Sequence, residues 1–208
     1  MKIIALIGSP KAQHSASEHL LGLLVDKLEY PVTCTIRLRH EPLTETAMTA
    51  LLSADVLLLS FPLYVDGIPG HLLRHLESLE KRFIEHRRSI RVYGLSNAGY
   101  YEGIHNEVAL ACLKHWCERT ELTYGGGLGI GAGAMQAFAQ IPIFKNPRRS
   151  LQKALDHLSQ AINQQMPSAD AFVSPNFPRW LYKIMGNRMW FKAITKQGLH
   201  KKTLYRRP

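Results

Sequence analysis

The chain has 208 residues, 46% of them apolar and 20% charged, which fits a folded domain with its own core and excludes a disordered chain. No apolar run approaches the roughly 20 residues of a membrane span. Cys34, Cys112 and Cys117 lack the spacing of a disulfide framework, a zinc site or an iron–sulfur site, so a reducing cytoplasm is the expected setting. The net charge of +10 is uneven: nine cations and no acid follow Asp170, whereas the first 170 residues carry 17 cations against 16 acids.

Strand and helix signals alternate along the chain. "KIIALIG" near the N-terminus is too short and too weakly charged for a signal peptide and reads as a buried strand. "SASEHLLGLLVDKLE" opens with serine at a capping position and repeats apolar residues at helical spacing. "PVTCTIRLR" is β-branched and partly alternating, a second strand; "TETAMTALLSA" is a short helix and "DVLLLSF" a third, fully apolar strand. "IPGHLLRHLESLEKRF" reads as a helix, "SIRVYGLSN" as a fourth strand, "NEVALACLKHWCERT" as a helix and "LTYGGGLGIG" as a fifth strand despite its glycines. "RRSLQKALDHLSQAINQQ" is the last regular helix of the domain. Apolar strands between amphipathic helices imply a parallel sheet covered on both faces. The expectation is a doubly wound, flavodoxin-like α/β domain over residues 1–168, with five parallel strands in the order 2-1-3-4-5. A basic, helical extension would occupy residues 169–208. Ligands of such sheets bind beyond the carboxyl ends of the strands near the switch in strand order, so the loops after strands one, three and four should carry function.

The first loop, "GSPKAQHSAS", offers the hydroxyls of Ser9, Ser15 and Ser17 and the cation of Lys11 at a helix N-terminus. Unpaired backbone N–H groups and the helix dipole suit an anion there. A capped helix with polar loop residues explains the same letters. Neither GxxxxGK[ST] nor GxGxxG is present in this loop. The second loop, "FPLYVDGIPG", is stiffened by prolines and presents Leu63, Tyr64 and Val65, either as a surface for a flat ring or as a turn folded back on the core. The third, "SNAGYYEGIHNE", combines small residues with Tyr100, Tyr101 and Glu102; its backbone would approach the polar edge of a ring, or it is a glycine turn with exposed tyrosines.

Taken in order, "GSPKAQHSAS", "FPLYVDGIPGHLLRHLE", "NAGYYEGIHNEVAL" and "GGGLGIGAG" resemble the flavodoxin-like NAD(P)H-dependent oxidoreductases of the NADPH-dependent FMN reductase type, over residues 1 to about 165. The resemblance implies FMN as cofactor, with NADH or NADPH as co-substrate. Ser9, Lys11, Ser15, Ala16 and Ser17 would surround the phosphate. Pro62, Leu63, Tyr64 and Val65 would line the isoalloxazine ring, and Asn97, Ala98, Gly99, Tyr100 and Glu102 would read its polar edge. The cofactor carries the chemistry, so no side chain is assigned a catalytic role. The electron acceptor would be a quinone, a nitro or azo compound or free flavin, and the chain would form a homodimer. The compact cysteine motif of iron–sulfur relatives is missing, and so are the acidity and phosphate loop of electron-carrier flavodoxins. An FMN-binding carrier without pyridine-nucleotide activity is the rival reading.

Other motifs carry less. "GLGIGAG" lacks the βαβ unit of a nucleotide fingerprint and is read as close backbone packing. His71 and His75 are spaced i, i+4 without HExxH and are assigned to a solvated helix face, not a metal. Cys112 and Cys117 should be core or partly buried thiols. In the extension, Trp180, Leu181, Ile184, Met185, Trp190, Phe191 and Ile194 alternate with cations. Packing on the domain or a second subunit is expected, with weak contact to an anionic membrane as the alternative; nucleic acid is not expected.

Overall fold

The computed structural model describes residues 1–86, 89–138 and 146–200. Six parallel strands form one sheet: β1 (Ile3–Ile7), β2 (Val32–Arg37), β3 (Val56–Pro62), β4 (Arg91–Asn97), β5 (Thr123–Ile130) and β6 (Ala171–Val173), in the order β2-β1-β3-β4-β5-β6. The helices are α1 (Ala16–Val25), α2 (Glu45–Leu52), α3 (Gly70–His86), α4 (Glu107–Arg119), α5 (Gly133–Phe138), α6 (Arg149–Asn163) and α7 (Arg179–Lys196). All five residues of β1 are buried, whereas β2 alternates between half-buried and exposed, as an edge strand with one covered face must.

Each central strand feeds two cores. In β3, Leu57, Leu59 and Phe61 pack with Leu72, Leu76 and Leu79 of α3 and Leu110 and Leu113 of α4. Val56 and Leu58 point to the other face, where they meet Leu20 and Leu24 of α1 and Leu151, Leu155 and Leu158 of α6. This period-two division of one strand between two helical layers is what a continuous apolar run encodes. Hydrogen bonds lock the layers: Trp116 Nε1 donates to the Leu76 carbonyl at 2.9 Å, and the Tyr93 hydroxyl reaches the carbonyls of Ala161 and Met166 at 3.0 and 2.8 Å.

Two elements depart from the sequence expectation. The sheet has a sixth strand, β6, whose Ala171, Phe172 and Val173 pair with Leu128, Gly129 and Ile130 of β5. Three residues are too few to show alternation, and the segment lies in the stretch read as extension. The short helix α5 follows β5 directly. The chain divides into two compact units, Met1–Pro175 and Asn176–Pro208. In the second unit, α7 runs unbroken through Gly186 and has no buried residue; Trp180 is 61% and Trp190 72% exposed. The cations Lys201, Lys202, Arg206 and Arg207 lie outside the described residues. No described helix is long and apolar enough to cross a membrane.

Candidate functional site

Strands β1, β3 and β4 end side by side, which brings their three loops to one edge of the sheet. A groove of about 180 Å³ opens there. The first loop lines it with Ser9, Lys11, Ser15, Ala16 and Ser17, the second with Pro62, Leu63 and Tyr64, and the third with Asn97, Ala98 and Gly99.

The three serines are buried, at 4%, 2% and 1% exposure for Ser9, Ser15 and Ser17. Each hydroxyl is already an acceptor. Ser15 Oγ caps α1 by accepting from the Glu18 amide at 3.1 Å, Ser9 Oγ accepts from the Lys11 amide at 3.4 Å, and Ser17 Oγ accepts from Asn97 Nδ2 at 2.7 Å. A hydroxyl that accepts in this way keeps its proton to donate. Three such protons at a helix N-terminus, in a groove that Lys11 also lines, are the donors an anion would need. Glu18, the acid of the first turn, does not oppose it: its carboxylate pairs with Arg37 and lines a separate cleft.

Below the groove, polar side chains at the strand ends fix the loops to one another. Asn97 Nδ2 also donates to the Phe61 carbonyl at 3.0 Å, and Ser60 Oγ to the Ser17 carbonyl at 2.8 Å. The Asn97 amide group therefore ties β4 to β3 and α1, which leaves its Oδ1 as the atom free to meet a ligand. Ser60, at the end of a leucine run, is a positioning residue that the sequence reading passed over; a lone hydroxyl in an otherwise apolar strand was its signal. The loop after β5 supplies further support. Gly133 N donates to the Ala98 carbonyl at 2.8 Å, the Ala132 amide donates to the Tyr100 carbonyl, and Ala134 lines the groove. Gly131 sits so close to the third loop that a Cβ there would overlap the Tyr101 carbonyl and lie 2.7 Å from Gly103 N. Close backbone packing accounts for "GLGIGAG".

Three sequence-assigned residues do not line the groove. Val65 and Asp66, at φ 49° and 56°, form a two-residue turn closed by hydrogen bonds of 3.1 Å in both directions between Tyr64 and Gly67. This turn points Val65 into solvent, a left-handed conformation that is costly for a β-branched residue. Tyr100 stacks on His105 with ring centroids 4.4 Å apart, and Glu102 Oε2 lies 3.7 Å from His105 Nε2. Both are engaged with the loop's own 3₁₀ turn. Leu63 packs on the core, as a turn folded back would have it, while Tyr64 remains exposed.

His71 and His75 do not occupy a solvated face. Both are buried, at 8% and 7% exposure, and donate through Nε2 to the carbonyls of Gly8 and Arg39 at 3.1 and 2.6 Å. Burial, helped by the neighbouring His40, His75 and Arg74, pushes the His71 pKa below its ordinary value. Of the two helical cysteines, Cys117 is buried and its thiol pushed up to about 12, mainly by burial, whereas Cys112 is exposed, contrary to expectation.

No protein-family model matches the chain. No curated protein matches it either. Solved structures do. A flavodoxin, WrbA-like protein from Agrobacterium tumefaciens aligns with a TM-score of 0.55 at 13% identity, over 79% of this chain and 99% of that one. The chain has a flavodoxin-like fold. An NADPH-quinone reductase from P. pentosaceus aligns with a TM-score of 0.57 at 15% identity, over 78% and 98% of the two chains. An NADH:FMN oxidoreductase aligns with a TM-score of 0.59 at 13% identity, over 80% and 90%.

Proposed function

We propose that this chain is an FMN-dependent oxidoreductase that takes electrons from NAD(P)H and passes them to a small-molecule acceptor such as a quinone. The observation that carries the reading is the cradle of Ser9, Ser15 and Ser17: three buried hydroxyls with protons to donate, at the N-terminus of α1, in one groove with Leu63, Tyr64 and the 97–99 backbone. The groove suits the group. Its volume of about 180 Å³ is below that of a site enclosing a whole drug-sized ligand, so the phosphate end would be held inside and the ring would lie at the mouth, against Tyr64. Bound FMN would supply hydride acceptance and electron transfer. The protein's share is binding and orientation. Ser9, Ser15, Ser17 and Lys11 hold the dianion, Leu63 and Tyr64 offer apolar contact, and the Ala98–Gly99 backbone meets the polar edge. The flavodoxin-like fold shared with reductases supports the assignment, and a homodimer completing the ring pocket is part of the proposal.

The test has two stages. The purified chain should show a bound-flavin spectrum, and Ser15→Ala with Ser17→Ala should weaken FMN binding by about a hundredfold or more, since each hydrogen bond to a charged group contributes about 1.5–3 kcal/mol. Unchanged FMN affinity in the double variant would refute the cradle. Anaerobic NADH or NADPH should then bleach the flavin. Bleaching by dithionite alone would make the chain an electron carrier.

A further inference from the structure

A second cleft lies apart from the proposed flavin groove. About 400 Å³ in volume, it lies between α3 and the segment joining β2 to α2. Six basic or imidazole side chains line it: Arg39, His40, His71, Arg74, His75 and Arg82. No aspartate or glutamate does. Arg82 lies 3.5 Å from the exposed Glu45 carboxylate, but among the described residues no carboxylate pairs with Arg39 or Arg74. Arg39 is also under-satisfied: Nη2 donates to the Ala12 carbonyl at 2.6 Å, while Nε is buried without a partner.

Arg39 and Arg74 have no carboxylate partner among the described residues, and cations gathered in this way repel one another unless an anion relieves them. The cleft is also pre-set. Backbone carbonyls hold the His71 and His75 rings, and the His40 ring lies 5.4 Å from that of His71. Guanidinium groups match phosphate oxygens in pairs, which makes a phosphate ester the anion best suited to three arginines. One wall is apolar, formed by Pro42, Leu43 and Met48, and could take the face of a base.

The cleft is joined to the flavin groove through the first loop. His71 holds the carbonyl of Gly8 and Arg39 that of Ala12, on either side of Ser9 and Lys11. We propose that this cleft binds the phosphorylated adenosine end of NADPH, with Arg74 and Arg82 on its 2′-phosphate, and thereby selects NADPH over NADH. The proposal rests on the reductase reading for its physiological meaning but not for its test.

The experiment is calorimetric titration of the purified full chain with adenosine 2′,5′-bisphosphate, 5′-AMP and inorganic phosphate, in wild type and in Arg74→Gln with Arg82→Gln. Both arginines are exposed, so the variant keeps the fold. The bisphosphate should bind about tenfold or more tightly than 5′-AMP, and the double variant should lose that margin. Equal affinity for the two nucleotides, no binding, or a margin the variant retains overturns the proposal. Inorganic phosphate binding as tightly as the bisphosphate, and lost in the variant, also overturns it, because the cleft would then take phosphate alone. In steady state the ratio of KM for NADH to KM for NADPH should fall about tenfold or more in the variant. Should neither nucleotide reduce the flavin, the reductase reading fails, and the calorimetry still decides whether the cleft takes a 2′-phosphorylated adenosine.

Discussion

Strands β3 and β5 lie in the same sheet, one strand apart, and are made of opposite material. β3, VLLLSFP, fills both cores with its own side chains; β5, TYGGGLGI, is nearly as buried but has glycine at four of its eight positions. The space beside β5 is filled by its neighbours. A Cβ on Gly127 would lie 2.8 Å from a methyl of Leu110 and 2.7 Å from the Tyr124 hydroxyl, and Tyr93 from β4 covers Gly125. One strand is a source of packing and the other a receptacle for it. They should therefore fail in opposite ways, β3 when side chains are removed and β5 when they are added.

The largest effect is expected at the functional end of β5. Gly131→Ala puts a methyl into the backbone of residues 101–103, which has no flexible side chain to give way. The expected loss is about 4 kcal/mol, seen as a fall in denaturation midpoint or a failure to fold. A variant as stable as wild type would mean that the 101–103 loop yields freely and that β5 is not a receptacle at its end. Leu58→Ala should cost somewhat less, about 3 kcal/mol, because it opens a cavity between β3 and the helices α1 and α6. A loss below 1 kcal/mol would erase the contrast between the strands.

The smallest effect concerns the borrowed side chain. Burial pushes the Tyr93 hydroxyl from 10.0 up to about 12, with Arg91 opposing weakly. The folded state thus holds its proton where the unfolded chain has lost it. This contribution is complete below pH 10.0 and is lost as pH rises toward about 12. Cys117, raised from 9.0 to about 12, begins the same decline one pH unit earlier, and Tyr124 adds to it. Melting temperature should fall steadily above pH 9. Tyr93→Phe should start lower, by about 1 kcal/mol for each lost hydrogen bond, yet fall less steeply above pH 10. Parallel curves for the two proteins would show that the Tyr93 hydroxyl does not hold its proton more tightly in the folded state than in the unfolded chain.

The contrast also explains what the sequence could convey. Five strands, their order and the two-layer cover were legible because leucine and isoleucine runs with helices between them admit few arrangements. The serines of the first loop were legible because a capping serine has a fixed relation to the helix it opens. The side chains of the third loop were not: whether Tyr100 and Glu102 face a ligand or His105 depends on a 3₁₀ turn that leaves no periodic trace. His71 and His75 were misplaced for a related reason. A pattern of i, i+4 histidines identifies one face of α3 but not what covers it, and here the cover comes from residues about thirty to sixty positions earlier in the chain.

The strand order has a consequence for how the protein is made. Once β3 has inserted beside β1, every later strand joins the same open edge, next to the strand synthesised just before it. The strand order lets the sheet grow in the order of translation, with no later segment having to part strands already paired. The three loops of the groove are present as soon as β4 and its loop have left the ribosome, but the bracing from Gly133 and Ala132 is still to come. A nascent chain halted there would display the three loops before the clamp that steadies them, so the groove is finished only in the last stages of synthesis.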